Sequence, residues 1–414
     1  MQDNEKKPAL RFKGFTDPWE QRKLEEYLEV SGQKNFDGIY SKEDVLSVSG
    51  DFGIVNQIEF QGRSFAGASV ANYGVVETGD IVYTKSPLKS NPYGIIKANK
   101  GKNGIVSTLY AVYKPKQSAN PEFVQIYFEQ DARMNNYMHP LVNKGAKNDM
   151  KVSAENALKG QIVFPDIEEQ RTISEFFRNL DTLITLHQRK YEKLVNIKKS
   201  MLDKMFPQNG ASVPEIRFKG FTDPWEQRKL GEISSIKTGP FGTQLSAKEY
   251  VESGVPVINV KNIGSNAIIA ENLDYVSGET FLRLKEHILH NGDIVFGRKG
   301  ALNRHAMIQK TQDGWIQGSD CIRVKLNVDD SNYLDAYLQV PNVLQHLSKI
   351  AYGSTMLTLT TDMLYSVPVE LPQLCEEKKI GDFFKILNNL ITLHQRKLEK
   401  LQNIKKSCLE KMFV

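Results

Sequence analysis

Two long segments of the chain carry apolar residues at every third or fourth position, the spacing of an amphipathic helix. The first covers residues 168–206, contains no proline or glycine, and is followed by Pro207. The second covers residues 375–414 and has one glycine, Gly381. A helix of about 38 residues is roughly 57 Å long. Each segment therefore predicts a rod whose apolar stripe packs against another helix.

The two helical segments are near copies of each other. Ile184–Phe206 and Ile391–Phe413 differ at four of 23 positions, and Pro8–Leu24 returns as Pro214–Leu230 with two changes. The chain thus contains two tandem units with the same opening and closing segments. We expect the helices to pack as an antiparallel coiled coil. The predicted seam consists of Phe177, Leu180, Ile184, His187, Tyr191, Leu194, Phe384, Leu387, Ile391, His394, Leu398 and Leu401.

Between the repeated segments lie short apolar runs separated by glycine, asparagine and aspartate, the pattern of strands and turns. Strands are expected at 53–58, 81–84, 106–113, 255–261 and 294–296, and helices at 122–136 and 333–352. The predicted class is α+β: two strand-rich domains separated and joined by two long antiparallel coiled-coil helices in a pseudo-twofold circular arrangement. The predicted boundaries are 1–18 (lead-in), 19–167 (first domain), 168–206 (first helix), 207–224 (linker repeating the lead-in), 225–374 (second domain) and 375–414 (second helix).

Composition and charge narrow the class of protein. The 414 residues are 40% hydrophobic and 25% charged, with no apolar run long enough to span a membrane and no N-terminal signal core. The three cysteines form no CxxC pair, which indicates reduced thiols in a cytoplasmic protein rather than disulfides or a zinc site. The net charge of +5 is concentrated in the two helical segments. Any anion bound by the globular parts must therefore meet a local basic patch.

Two intervals are basic and free of acidic residues. Residues 81–121 hold seven lysines interleaved with tyrosine, asparagine and serine, and residues 294–312 hold Arg298, Lys299, Arg304 and Lys310. Lysine suits phosphates, arginine suits guanine edges and phosphates, and asparagine suits base edges. Nucleic-acid binding and an ordinary solvated loop remain open for the first interval when it is taken alone.

Catalytic motifs are missing from the sequence. There is no GxxxxGK[ST] loop, no GxGxxG and no carboxylate–carboxylate–lysine cluster of the nuclease kind. Asn91-Pro92-Tyr93 resembles only part of an amino-methyltransferase motif, and the HxxH pair His287 and His290 has no third metal ligand near it in the sequence. We therefore expect no catalytic residue and no metal site.

The duplicated pattern resembles the specificity (S) subunit of type I restriction–modification enzymes. The resemblance rests on the repeated Pro165…Glu169-Gln170-Arg171 and Pro372…Glu376-Glu377-Lys378 exits, the ITLHQRK…IKKS helices and the RFKGF…WE lead-ins. In the second domain, KTGPFGTQL, GDIVFGRKG and Gly353-Ser-Thr look typical of target-recognition domains of that family. The first domain departs from this pattern, because Thr84-Lys85-Ser86-Pro87 stands where the second has Gly297-Arg298-Lys299-Gly300.

The resemblance implies a non-catalytic, sequence-specific DNA-binding subunit. Each domain would read one half of a bipartite, asymmetric site in double-stranded DNA, while the helices set the gap and dock two methyltransferase subunits. Two restriction subunits would complete the complex. This chain would bind no cofactor itself, and S-adenosylmethionine, ATP and Mg²⁺ would lie on the partner subunits.

On these grounds two sets of residues are predicted to contact DNA. In the first domain they are Lys85, Ser86, Lys89, Asn91, Tyr93, Lys97, Lys102, Asn103, Lys144 and Lys147. In the second domain they are Lys237, Thr238, Lys261, Arg298, Lys299, Asn303, Arg304, Ser354 and Thr355. Two rival interpretations remain: a coiled-coil protein-binding scaffold without a DNA role, and a self-contained methyltransferase or nuclease.

Overall fold

The computed structural model describes residues 7–85, 91–144, 150–208, 210–264, 266–299, 304–351 and 358–414, and for Asn143, Lys144, Met150, Lys151 and Thr243 it describes the backbone alone. The chain forms two compact units. Unit 1 comprises residues 1–187 and 397–414, and unit 2 comprises residues 188–396. Each unit therefore contains one globular domain together with parts of both long helical segments.

The strands of the first globular domain are β1 (Glu20–Lys23), β2 (Leu28–Val30), β3 (Leu46–Ser49), β4 (Gly53–Asn56), β5 (Gly74–Val76), β6 (Ile81–Thr84), β7 (Ile96–Ala98), β8 (Gly104–Val106), β9 (Tyr110–Pro115), β10 (Asn143–Lys144), β11 (Met150–Lys151) and β12 (Gln161–Phe164). Its helices are α1 (Gln57–Gln61), α2 (Pro121–Tyr127) and α3 (Asp131–Met138), followed by the long helix α4 (Ile167–Lys204).

The strands of the second domain are β13 (Glu226–Lys229), β14 (Ser234–Thr238), β15 (Tyr250–Val251), β16 (Val255–Ile258), β17 (Asp274–Val276), β18 (Ile294–Gly297), β19 (His305–Met307), β20 (Ile316–Gln317), β21 (Cys321–Leu326) and β22 (Pro368–Leu371). Its helices are α5 (Leu230–Ile233), α6 (Gly278–Arg283), α7 (Ser331–Tyr337), α8 (Pro341–Ile350) and α9 (Thr361–Tyr365), followed by the long helix α10 (Leu374–Lys411).

The long helices match their predicted spans to within three residues at each end, whereas the two shorter predicted helices are each broken. The expected helix 122–136 is α2 and α3, with Gln130 extended between them. The expected helix 333–352 is α7 and α8, because Pro341 forces the preceding Val340 out of the helical region. The single strand expected at 106–113 is likewise β8 and β9, separated by a turn, and 53–58 ends early because Asn56 caps helix α1.

Unit 1 is built on a four-stranded antiparallel sheet in the order β2-β9-β6-β7. Successive residues of a strand face opposite sides. Ile81 and Tyr83 therefore pack with α2, α3 and the long helices, whereas Val82 joins Val106 and Val112 in a second apolar cluster under β3 and β4. The sheet is thus covered on both faces.

Unit 2 repeats this plan in the order β14-β21-β18-β19. Ile294 and Phe296 face α7 and the long helices, whereas Val295 packs with Ile258 and Cys321 on the opposite face. The second layer is here the sheet β15-β17-β16-β20. Within the described residues, no helix is both long and apolar enough to cross a membrane.

Each long helix ends with a phenylalanine buried in the unit where that helix stops. In unit 1, Phe413 lies 5.7 Å from Phe123 and 6.2 Å from Phe177 and Trp19, measured between ring centroids. In unit 2, Phe206 lies between Trp225, Tyr333, Tyr337 and Phe384, with centroid distances of 5.6–6.2 Å. Burying one such side chain contributes about 1.5–3 kcal/mol.

The lead-in segments attach to the helices by a repeated buried ion pair. The Arg11 guanidinium donates two hydrogen bonds of 2.7 Å to the fully buried Glu169 carboxylate, and Arg217 makes the same fork to Glu376. Leu10 N also donates to Lys411 O at 2.9 Å in unit 1. Such bidentate pairs are strong and geometrically specific. They explain why the lead-in is repeated together with the helix.

The predicted seam residues form the least exposed stripe of each long helix. Phe177, Leu180, Phe384 and Leu387 are at most 6% exposed, and the other predicted seam residues are half-buried. Inside unit 1 the two helices run antiparallel. The Phe177 ring contacts the Phe413 ring, while Asp181 forms an ion pair of 2.8 Å with Lys405. Residue numbers therefore rise along one helix as they fall along the other.

We call the region of each unit where the lead-in segment, the globular domain and the long helices meet its joint. One buried position differs between the two joints. In unit 1, the Gln170 side chain accepts from Asn120 N and donates to Pro165 O and Ser118 O. Glu377 occupies the equivalent place in unit 2 and accepts from Asp330 N at 3.1 Å. Burial, helped by the negative charges of Asp329 and Asp330, raises the pKa of Glu377 to about 7.

We therefore predict that Glu377→Gln stabilises unit 2 at alkaline pH. The folded-state pKa lies above the unfolded value, so the stability linked to Glu377 is complete below about pH 4.5 and lost as the pH rises through about 7. Thermal unfolding should show a gain of roughly 1–3 kcal/mol at pH 8 and a much smaller gain at pH 5. The exposed Glu279→Gln is the matched control, and an equal gain at both pH values would contradict this account.

Candidate nucleic-acid interface

Several loops of unit 2 meet at one edge of its main sheet. Because Thr238 pairs with Ile322, Gly297 with Cys321 and Phe296 with His305, the chain leaves or enters four strands at the same end. We call this the loop edge of unit 2, and define it by Gly239–Phe241, Arg298–Lys299, Arg304 and Ser319–Asp320. A side chain at Gly239 would collide with the carbonyl of Gly318, so two of these loops pack backbone to backbone.

Arg298 is the most closely held basic side chain of this edge. Its guanidinium lies 5.0 Å from the centre of the Phe241 ring, and its backbone is fixed by bonds to Asp320 O and from Leu359 N. The Nε atom is buried and has no hydrogen-bond partner among the residues that the structure describes. Stacking on an aromatic ring restricts the guanidinium to one plane. The arrangement suits a planar, bidentate acceptor.

The predicted lysines of unit 2 are paired with acidic residues of the same unit. Lys237 contacts Glu286, Lys261 contacts Asp274 at 2.8 Å, and Lys299 lies 3.4 Å from Asp320. Hydrogen bonding from Lys261 lowers the pKa of Asp274. These exposed pairs are weak and can exchange partners. Thr238 is half-buried at the end of β14, and Arg304 is exposed.

Unit 1 has a corresponding loop edge. Thr84 pairs with Tyr110 and Tyr83 with Ile96, so Lys85, Asn91–Tyr93 and Ser107–Leu109 lie together, and these residues define the loop edge of unit 1. Lys85 is half-buried there. The Tyr93 ring packs edge-on against His139 at 6.1 Å, and the Tyr83 hydroxyl donates to Tyr93 O at 2.7 Å.

Four residues predicted to contact DNA lie elsewhere or are engaged within unit 1. Lys97 is 8% exposed, and burial lowers its pKa; Asn91 is also 8% exposed and donates to Asp131 at 2.8 Å. Lys102 and Asn103 lie at the opposite end of the sheet, where Thr78 N donates to Asn103. The lysines of this acid-free interval therefore do not form one patch. Because β6 and β7 are antiparallel, the turn before β6 and the turn after it lie at opposite ends of the sheet.

The remaining predicted contacts lie outside the described residues. They are Ser86, Lys89, Lys147, Asn303, Ser354 and Thr355, together with the side chain of Lys144. Among the described residues that flank them in unit 2, Lys299 forms a bridge with Thr358, and the backbone N–H of Gly297 donates to Arg304 O.

Comparison with known proteins agrees with this two-unit plan. Residues 222–403 match the family model of the type I restriction modification DNA specificity domain. This region is therefore similar to the DNA specificity domain of type I restriction–modification systems. The resemblance seen in the sequence is thereby confirmed.

Two relatives come from Methanocaldococcus jannaschii. The type I restriction enzyme MjaVIII specificity subunit is 25% identical over 60% of this chain and 60% of its own length. The protein described as the type I restriction enzyme MjaX specificity subunit is 20% identical over 94% of this chain and 92% of its own. The crystal structure of the type I restriction–modification S subunit from M. genitalium superposes with a TM-score of 0.60 over 99% of both chains at 14% identity, which shows a shared fold.

The sequence analysis missed an aromatic surface on unit 1 of this protein. Phe52, at the β3–β4 turn, is 67% exposed, and its ring packs at a tilt against the exposed Phe60 with 5.2 Å between centroids. The Arg63 guanidinium lies 4.5 Å from the centre of the Phe65 ring. The apolar pattern of a strand does not reveal which residue lies at a hairpin tip. Phe241 of unit 2, in the loop after β14, was also missed.

We predict that Arg298→Ala lowers sequence discrimination in one half-site by about 1–3 kcal/mol, because the held fork can no longer match a base edge. Arg298→Lys should recover nonspecific affinity but not discrimination. Lys310→Ala, which removes an exposed cation of the same interval beyond the far end of β19, is the matched control. Competition binding to duplexes with single-base changes measures the effect. Uniform weakening on all duplexes would assign Arg298 to a phosphate.

Proposed function

We propose that this chain is the non-catalytic DNA-specificity subunit of a type I restriction–modification complex. Each globular domain would read one half of a bipartite, asymmetric duplex site. The observation that carries this proposal is the pair of loop edges. Both stand at the same end of sheets with the same strand order, yet they present different residues, Arg298 and Phe241 in one and Lys85 and Tyr93 in the other. Two unlike edges on one repeated plan suit two unlike half-sites.

In this proposal the long helices form an antiparallel coiled coil that spaces the two domains, with domain boundaries at 19–167 and 225–374. Support comes from the ion pairs and ring contacts within each unit. The backbone bond from Leu10 to Lys411 is repeated by the bond from Ile216 to Lys204 at 2.8 Å. If each lead-in docks on the end of the other repeat's helix, the chain closes in a pseudo-twofold circle.

Paired leucines on the long helices support docking of methyltransferase subunits. Leu183 and Leu186 on α4 are each 44% exposed, and their repeats Leu390 and Leu393 on α10 are 39% and 45% exposed. Both pairs lie off the seam, three residues apart, on one face of their helix. A repeated apolar face suits two copies of one partner. S-adenosylmethionine, ATP and Mg²⁺ would then act on the partner subunits, including two restriction subunits.

The pairing of Lys237, Lys261 and Lys299 with acids favours a second candidate, a protein-binding scaffold. The complex with methyltransferase subunits, expressed in cells, separates the two. We expect sequencing of methylated adenines to return one two-part motif with a constant gap. No methylation, together with no salt-dependent duplex binding, would favour the scaffold.

We predict that lengthening both helices changes the gap and leaves both half-sites unaltered. Seven residues inserted after Lys193 and after Lys400 add about 10 Å, or roughly three base pairs. Methylation mapping measures the new gap. An insertion in one helix alone is the control, and we expect it to abolish activity because the seam loses register. An unchanged gap in the double insertion would refute the role of the helices as spacers.

We predict that Leu186→Ser together with Leu393→Ser weakens association with the methyltransferase subunits by about 1–3 kcal/mol per site. Lys190→Ser with Lys397→Ser, one turn along the same helices, is the matched control. Sedimentation of the purified complex at graded concentrations measures association. Equal retention of the partner by both variants would move the docking surface elsewhere.

A further inference from the structure

His305 holds one end of the loop that carries Arg298 and Arg304. It is the first residue of β19, it is 1% exposed, and it pairs in register with Phe296 on β18. The His305 and Phe296 rings lie 5.4 Å apart. Arg304 directly precedes His305, and its carbonyl accepts from Gly297 N at 3.2 Å, so a shift of His305 displaces Arg304.

A polar network behind the sheet surrounds His305. Its Nε2 atom lies 3.6 Å from Asp335 Oδ1, an ion-pair distance when the imidazole is protonated. Gln339 donates to Asp335 Oδ2 at 3.2 Å and accepts from Asn266 at 2.9 Å. The backbone N–H of Asn266 donates to His305 O at 3.0 Å. These contacts therefore connect the His305 ring, through Asp335, Gln339 and Asn266, to the His305 backbone.

The Asp335 carboxylate attracts nearby hydrogen-bond donors strongly. It is 7% exposed, and its Oδ1 atom accepts no hydrogen bond within the described residues. The cations facing it are His305 and Lys198, and Lys385 lines the same cavity of about 290 Å³. A buried carboxylate with an unfilled acceptor attracts the nearest donor more strongly than a solvated one does.

Unit 1 holds the corresponding loop in another way. Ile96 stands in the register position of His305, and Tyr83 in that of Phe296. There the Tyr83 hydroxyl holds Tyr93 by donating to its carbonyl oxygen at 2.7 Å. Gln125, on the helix corresponding to α7, bonds to Ala98 N instead of reaching a histidine. The carboxylate–histidine device therefore occurs in unit 2 alone among the described residues.

We propose that Asp335 is a positioning residue for recognition by unit 2: through His305 it fixes Arg304, which precedes His305 in the chain, and Arg298, which follows the paired strand β18, so that both arginines meet one base sequence. This inference rests on the proposed DNA-reading function. Asp335 touches no DNA itself. It acts from behind the sheet, and its loss should relax the choice of bases rather than remove a charge from the interface.

The test uses the complex of the full chain with its methyltransferase subunits. After the two-part motif has been mapped, competition binding compares the cognate duplex with duplexes altered at one base in either half-site. We expect Asp335→Asn to lower discrimination about tenfold in one half-site. The other half-site and the salt dependence of nonspecific binding should remain as in the wild type, because no phosphate contact is lost.

Tyr83→Phe is the matched variant for unit 1, and should relax only the opposite half-site. Gln339→Met removes the support of Asp335 without touching a charge, and serves as the second variant should Asp335→Asn unfold. Equal loss of affinity on every duplex, loss in both half-sites, or unchanged discrimination in both Asp335→Asn and Gln339→Met would overturn the inference. A wild-type complex that discriminates no duplex would instead overturn the proposed function.

Discussion

A phenylalanine at the end of each long helix must enter the aromatic cluster of a globular domain, and the architecture of both units depends on this burial. Phe413 fills the cluster of unit 1 and Phe206 that of unit 2. Neither domain core is complete without the last turn of a helix, since Trp19 and Trp225 pack directly on these rings. The bidentate Arg11–Glu169 and Arg217–Glu376 pairs then fix the lead-in over each joint. Shared joints and divergent loops follow from this division, because a joint tolerates little change and a solvent-facing edge tolerates much.

The long helices and the repeated joints could be predicted from the sequence, because a 3.6-residue period over 38 residues and a near-identical copy leave few alternatives. The seam between them stays a prediction. The breaks within the shorter helical segments were harder to predict. Pro341 divides α7 from α8 through a rule that can be read locally. Nothing local marks the break at Gln130, where the Arg133 side chain bonds to Tyr127 O at the end of α2.

The candidate site was only partly predictable, because spacing along the chain does not determine which edge of a sheet a residue reaches. Lys85 and Lys102 belong to one basic interval, yet β6 and β7 run in opposite directions and put them at opposite ends of the sheet. Lys97 alternates inward and is buried. The Arg298–Phe241 stack joins residues far apart in sequence, so only the register of β14, β21 and β18 brings them together.

The two joints contain nearly identical helix segments but differ in the charged residues around them. In unit 1, Lys405 of α10 is neutralised by Glu129 and Asp181 at 2.8 Å each. Its repeat in unit 2 is Lys198, where the corresponding residues are Gln339 and Asn388, and burial lowers the pKa of Lys198. Asp335 supplies the compensating charge from another helix, and the same carboxylate faces His305. Asp335 thus faces both the long helix α4 and strand β19, whereas the Lys405 ion pairs of unit 1 include no residue of the corresponding strand β7. Changes in the joint should therefore reach the loop edge more readily in unit 2 than in unit 1.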